Sequence, residues 1–216
     1  MKPFSAARRR AVFERLRAAN PEPVSELNYS TPFELLVAVM LSAQATDRSV
    51  NAATAKLFPV ANTPQALLAL GADRVKPYLQ TIGLYNAKTA NLMALCQQLL
   101  DRHGGHVPAD RESLEALPGV GRKTANVVLN IAFGESTIAV DTHIFRVANR
   151  TGLAPGKTPL AVEVALTRTT PPEFAHQAHH WLLLHGRYVC LARTPKCPGC
   201  LIRDLCDYPT KTQPGH

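Results

Sequence analysis

Four of the five cysteines crowd into one short segment, as Cys190-x6-Cys197-x2-Cys200-x5-Cys206. Thiolates are soft ligands, and four in one loop can surround a single metal ion or one cluster. In a reducing compartment such crowding points to metal rather than disulfides. Zinc sites usually show two Cys-x-x-Cys pairs with a longer spacer, and here there is one such pair. The spacing alone leaves zinc and iron–sulfur both open. Arg187, Arg193, Lys196 and Arg203 lie among these cysteines. The loop therefore reads as a metal-stapled basic surface able to meet phosphates, with a solvated charged face as the plainer alternative. Cys96 stands apart inside a helical pattern and reads as a small buried residue.

The second constellation is Leu117-Pro118-Gly119-Val120-Gly121-Arg122-Lys123-Thr124-Ala125. Pro118 ends one helix, because the residue before a proline avoids the helical region. Gly119 and Gly121 permit a tight turn and remove Cβ atoms that would block close approach. Val120 would anchor the turn or touch a sugar. The next helix offers free N–H groups and its positive dipole end, which suit a DNA phosphate. Lys123 sits just inside that helix. The helix end disfavours an ammonium, and partial burial would push the same way, so its pKa is expected to fall toward the neutral amine. Such an amine can attack a sugar carbon and form a Schiff base.

Asp141 opens Val140-Asp141-Thr142-His143-Ile144-Phe145-Arg146. Aspartate before a helix is first of all an N-cap. Capping leaves room for catalysis, since a carboxylate held by helix N–H groups suits a cationic sugar transition state. His143 fits core packing, a DNA contact or support of a neighbour, and a DNA contact is preferred. His179, His180 and His185 share a segment with Trp181 and Leu182–Leu184 but no acidic cluster, so packing or surface roles are expected.

These groups need a helical frame. Ser5 can cap a helix carrying Val12, Phe13 and Leu16. Thr31-Pro32 is a start signal before Phe33–Leu41, an apolar run read as a central buried helix. Thr63-Pro64 repeats the signal before Ala66–Leu70. Asn86–His103 is amphipathic and ends at Gly104-Gly105. Further helices fit Arg111–Ala116, Arg122–Phe133, Thr142–Arg150, Thr158–Thr169 and Glu173–His185. No two-residue alternation is sustained, so the class is all-α. Pro21–Pro23 and Gly134–Val140 are the candidate joints. The tail after Asp207, with Pro209 and Pro214, is expected to fray.

The chain has 216 residues, 46% hydrophobic, enough for one large domain or two small ones. Twenty-four Lys and Arg against 16 Asp and Glu give a net charge of +8, which favours a polyanionic partner. Residues 1–20 lack the apolar core of a secretory signal, and the Arg-rich start that could imitate a transit peptide contains Glu14. Phe33–Leu41 is too short to span a bilayer. A soluble protein of the bacterial cytoplasm, at the nucleoid, is expected.

Taken together these strings resemble the endonuclease III family of helix-hairpin-helix DNA glycosylases and AP lyases. The resemblance runs from Ser25-Glu26-Leu27-Asn28 through Leu41-Ser42-Ala43-Gln44-Ala45-Thr46-Asp47, Thr81-Ile82-Gly83-Leu84-Tyr85-Asn86, the hairpin, Val140–His143, His185-Gly186-Arg187-Tyr188 and the cysteine loop. It implies two all-α domains with DNA across the cleft between them. One is a six-helix barrel over 24–135, with the hairpin at 111–130. The other joins 1–23 to 136–216 and holds a [4Fe–4S] cluster on Cys190, Cys197, Cys200 and Cys206. The family reading makes Lys123 the nucleophile and Asp141 the catalytic carboxylate on a flipped-out base. Gln44 and Leu84 match residues that fill the gap and wedge the duplex, with Ile82 assisting. Gly119, Val120, Gly121, His143, Arg193 and Lys196 complete the implied DNA contacts. The implied partner is duplex DNA carrying damaged pyrimidines or abasic sites, bound by a monomer, and the implied lesions are oxidised or ring-saturated pyrimidines such as thymine glycol. Thr194 departs from the family, where a basic residue is usual, and Lys196 offers compensation.

Two rival readings fit these residues less well. An adenine-specific mismatch glycosylase needs a catalytic Glu where Ala38 stands, and lacks a lysine at position 123. A non-catalytic, redox-active DNA-binding protein leaves the pairing of Lys123 with Asp141 unexplained.

Overall fold

The structure, a computed structural model, describes residues 4–213. Among them there is no strand, and eleven α-helices follow one another: α1 Ala6–Ala19, α2 Pro32–Leu41, α3 Asp47–Leu57, α4 Pro64–Leu70, α5 Ala72–Leu79, α6 Tyr85–His103, α7 Arg111–Glu115, α8 Arg122–Phe133, α9 Thr142–Thr151, α10 Pro159–Thr169 and α11 Ala175–Tyr188. Short 3-10 turns punctuate the C-terminal segment. No described helix is long and apolar enough to cross a membrane.

The expected start signals act as caps. The hydroxyls of Ser5, Thr31, Thr63 and Thr158 each accept a backbone N–H from the first turn of α1, α2, α4 and α10. Gly104 closes α6 in the left-handed conformation at φ +58°. Two helices were not expected from the sequence. In α3 the buried stripe is Val50, Ala53, Thr54 and Leu57, in which only two residues are strongly apolar. In α5 no side chain caps the start, and Pro77 lies inside the helix. Both signals are weak in sequence, and tertiary packing of Val75 and Leu79 decides the second.

Chain contacts divide the molecule into two compact units. One is Ser25–Gly134; the other runs through Val24 and resumes at Glu135. In the first, α2 is buried all round, from Phe33 to Leu41, and serves as the central element. Even Glu34 is covered, its carboxylate accepting from Ser30 N–H at 2.6 Å and Asn62 Nδ2 at 3.0 Å.

In the second unit, α1 packs on α11 and on the 3-10 turn before it through Phe13, Trp181 and Phe174, whose ring centroids lie 5.7–6.4 Å apart. Trp181 Nε1 donates to Asn20 O at 2.7 Å, so the one polar atom of the cluster is satisfied. The Arg-rich start is structural here. Arg8 donates to Leu205 O and pairs with Asp207, while Arg15 donates to Leu201 O and pairs with Asp204. The N-terminal helix is thereby tied to the cysteine-bearing segment. The tail is a correction. From Tyr208 to residue 213 it is held in place, because Lys211 Nζ donates to Cys206 O at 2.6 Å and Thr212 Oγ1 to Pro195 O at 2.6 Å. Pro214 lies outside the described residues.

Candidate functional site

Lys123 is the second residue of α8, and no side chain caps that helix. The first turn of α8 holds no acidic residue, so its N–H groups and dipole meet outside charge directly. Lys123 is exposed, which corrects the expectation of partial burial. Water can be excluded around it only by a bound substrate.

The hairpin before α8 uses its glycines differently. Gly119 sits at φ +78°, and a Cβ there would lie 3.0 Å from Asn91 Cβ on α6. Both the conformation and the close approach exclude a side chain. Gly121 is extended, at φ −101°, and a Cβ there meets nothing within 4 Å. The fold therefore makes no demand on Gly121, and open space faces the start of α8. Gly119→Ala is expected to destabilise by about 1 kcal/mol or more. Gly121→Ala should leave the melting temperature unchanged and weaken DNA binding, read by thermal denaturation and duplex titration. Val120 is buried at 6% exposure, so its side chain anchors the turn, and contact with DNA is left to its backbone.

Two non-glycine residues among those described adopt positive φ, Gln44 at 53° and Leu84 at 61°. A left-handed leucine costs roughly 1–3 kcal/mol and persists only where the surroundings enforce it. The two turns are neighbours, since a Cβ on Gly83 would lie 3.7 Å from Gln44 O. Gln44 is exposed and Leu84 is 61% exposed, so neighbouring turns carry an exposed amide and an exposed apolar side chain. Ile82 is 1% exposed; it supports the turn from below and cannot itself wedge a duplex.

In the other unit, Asp141 caps α9. Its Oδ1 accepts the N–H groups of His143 and Ile144, each at 2.9 Å. Oδ2 makes no hydrogen bond among the described residues, so capping and a second role are compatible. His143 is half-buried, with Nδ1 3.2 Å from Arg146 Nη2. A Cβ on Gly186 would lie 2.8 Å from His143 Cβ, so this glycine lets α11 approach α9. Lys123 and Asp141 are carried on different units.

Cys190, Cys197, Cys200 and Cys206 line one small pocket. No three His, Cys, Asp or Glu side chains among the described residues converge as a single-ion site. The thiols are free, and burial pushes those of Cys200 and Cys206 above the ordinary value. Sequence reasoning missed what holds this loop. Arg146 Nε donates to Cys190 O at 2.8 Å and its Nη2 to Gly186 O at 2.7 Å. One turn on, Arg150 donates to Leu191 O and Ala192 O, both at 2.6 Å, and lies 3.8 Å from Cys190 Sγ. The only sequence signal was two arginines at i, i+4 on a helix with no acidic partner. His185 Nε2 lies 3.7 Å from Cys200 Sγ, and burial takes the His185 pKa down to about 4. His179, His180 and His185 are all buried, and His180 is likewise held at about 4 by desolvation. Arg193 and Lys196 are exposed on the loop. Cys96 is fully buried, with its thiol pushed up to about 12, and is inert.

The family model described as HhH-GPD superfamily base excision DNA repair protein matches residues 37–172. Endonuclease III of Escherichia coli (strain K12) is 63% identical over 208 residues, covering 96% of this chain and 99% of that protein. The chain belongs to the endonuclease III family. Endonuclease III of Haemophilus influenzae is 60% identical over 97% of this chain and 100% of its own length. A solved trapped endonuclease III–DNA covalent intermediate, an estranged-adenine complex, is 42% identical with a TM-score of 0.88, covering 94% of this chain and 96% of that one. With a thermostable thymine-DNA glycosylase, at 23% identity and a TM-score of 0.83, the likeness is one of fold alone. As a member of the endonuclease III family, this chain is a base excision DNA repair enzyme of all-α architecture.

Proposed function

We propose that the chain is a bifunctional glycosylase and AP lyase that excises oxidised or ring-saturated pyrimidines, with Lys123 as its nucleophile. The observation that carries this is an exposed lysine at an uncapped helix N-terminus, beside an open Gly121, in a chain 42% identical to one solved as a trapped covalent intermediate with DNA. The damaged base leaves the stack, and Gln44 and Leu84 occupy the duplex behind it. Lys123 Nζ attacks the sugar C1′. The C1′–N bond breaks, its electron pair leaves with the base, and the base takes a proton. The attached nitrogen gives up a proton and the C1′–O4′ bond opens, O4′ taking a proton, which leaves the Schiff base. Loss of a C2′ proton from it then expels the 3′ phosphate, cutting the strand on that side. Asp141 Oδ2 faces the cationic sugar while Oδ1 keeps the cap. The Gly119–Gly121 backbone, His143, Arg193 and Lys196 position phosphates.

The test is a thymine-glycol duplex. Free base and a nick 3′ to the lesion are expected, and an undamaged duplex should remain intact. Release of adenine from an adenine mismatch instead would sink the assignment, and Ala38, fully buried and without a carboxylate, argues against it. Asp141→Asn separates the two roles of that residue. Asparagine caps as well as aspartate, so the melting temperature should hold. Turnover should fall by roughly a hundredfold or more. Equal losses of stability and turnover would reduce Asp141 to a cap.

The four cysteines fit a [4Fe–4S] cluster. They surround a pocket instead of meeting at a point, and no described disulfide competes for them. When bound, the group supplies four covalent anchors to a loop with little regular structure. Arg146 and Arg150 hold the loop's carbonyls, and Arg193 and Lys196 remain outside for DNA.

A further inference from the structure

Lys88 is the one lysine among the described residues whose ammonium is covered and without a hydrogen-bond partner. The residue is 6% exposed. An unpaired buried cation opposes folding, since the ion loses water and gains nothing in return. Such a group is tolerated where a ligand completes it. The cover is shallow, near the surface of its unit, and it holds the amine below the ordinary lysine pKa.

Its place in α6 says what that ligand is. The face of α6 that carries Lys88 also carries Asn91 and Gln98, at helical spacing. Gln98 Nε2 donates to Ala116 O at 3.1 Å, and Asn91 lies under Gly119 of the hairpin. Lys88 therefore lies one turn beyond the hairpin contact, toward the start of α6. That start is uncapped by any side chain and has no acidic residue in its first turn. It follows directly on Leu84, whose carbonyl accepts the Lys88 N–H at 3.0 Å. Asn86 and Ala87 are exposed there. Long helical side chains lean back over the preceding turn, which places the Lys88 stem over the face of Leu84 and Tyr85 at the start of α6. A dipole end, free amide donors and an unsatisfied ammonium all favour an anion.

We infer that the N-terminus of α6, completed by Lys88, is a second phosphodiester site on the DNA, next to Leu84 and distinct from the hairpin at the start of α8. The phosphate docks on the exposed first turn, and a side-chain shift of Lys88 brings its ammonium to the same oxygens. The site grips the backbone where Leu84 enters the duplex and carries no base information. It rests on the assignment of DNA as substrate.

The test uses Lys88→Met, which keeps the stem and removes the charge, with Lys88→Arg beside it. Binding to a duplex with an uncleavable tetrahydrofuran abasic analogue is measured across a salt series. The slope of log K against log [salt] should shrink by about 0.9 for Lys88→Met, the value for one phosphate contact. Lys88→Arg should restore it. The melting temperature of Lys88→Met should equal or exceed the wild-type value, because an unpaired buried charge has gone. An unchanged slope would overturn the site, and a lowered melting temperature with an unchanged slope would make Lys88 structural. If the Met variant fails to fold, Lys88→Gln is read by the same slope. If wild type itself binds this duplex without salt dependence, the DNA assignment fails before the site is tested.

Discussion

Lys123→Ala will abolish the covalent adduct that wild type forms with a thymine-glycol duplex under borohydride. The hydride reduces the carbon–nitrogen double bond of the Schiff base to a stable amine, so the adduct reports directly on the attacking nitrogen. Lys123 is the second residue of α8 and is exposed. Alanine is a good helix former and leaves no cavity there, so stability should move by no more than about 0.5 kcal/mol. Base release coupled to strand cutting should fall by roughly a thousandfold or more, as expected when a nucleophile is removed. Lys88→Met supplies the control. It removes a different amine, one that burial holds below the ordinary lysine pKa, and at saturating DNA its adduct should persist. If Lys123→Ala traps as well as wild type, the nucleophile is elsewhere and the lyase mechanism is wrong.

Cys200→Ser will release iron and erase a broad absorbance in the blue part of the visible spectrum. Serine is a hard, weakly acidic ligand in place of a thiolate, and the three remaining cysteines leave one metal corner open. The stability cost follows from the surroundings. The segment from Cys190 to Cys206 has only short 3-10 turns of its own. Without a cluster its order rests on arginines reaching in from α1 and α9 and on Lys211 and Thr212 of the tail. The melting temperature should fall by several degrees, at about 2–4 °C per kcal/mol for a chain this long. Iron and absorbance retained in Cys200→Ser, or zinc without iron in anaerobically purified wild type, would overturn the cluster assignment.

Much of the helical frame is legible along the chain alone. Ser5, Thr31, Thr63, Thr158 and Gly104 announce helix ends because capping is a local interaction, decided within four residues. Other features were out of reach for equally physical reasons. Helices α3 and α5 carry weak apolar stripes, and their burial depends on partners far along the chain. Ile82 and Leu84 are two apolar residues in one motif. Only the chain path puts Ile82 at 1% exposure and Leu84 at 61%. Val120 at the hairpin tip was readable as anchor or contact, and packing turned it inward.

The sequence by itself determined the chemistry available: an amine after Gly-x-Gly, a carboxylate before a helix, and thiols at x6, x2 and x5 spacing. These are statements about neighbours along the chain. Tertiary structure decided which of those groups are reachable. It left Lys123 in solvent, strained Gln44 and Leu84 into adjacent turns, and gathered the four thiols around one pocket. It also buried Lys88 without a partner, which no periodicity reveals. Burial and pairing are sums over elements distant in sequence. They emerge only when the helices close on one another.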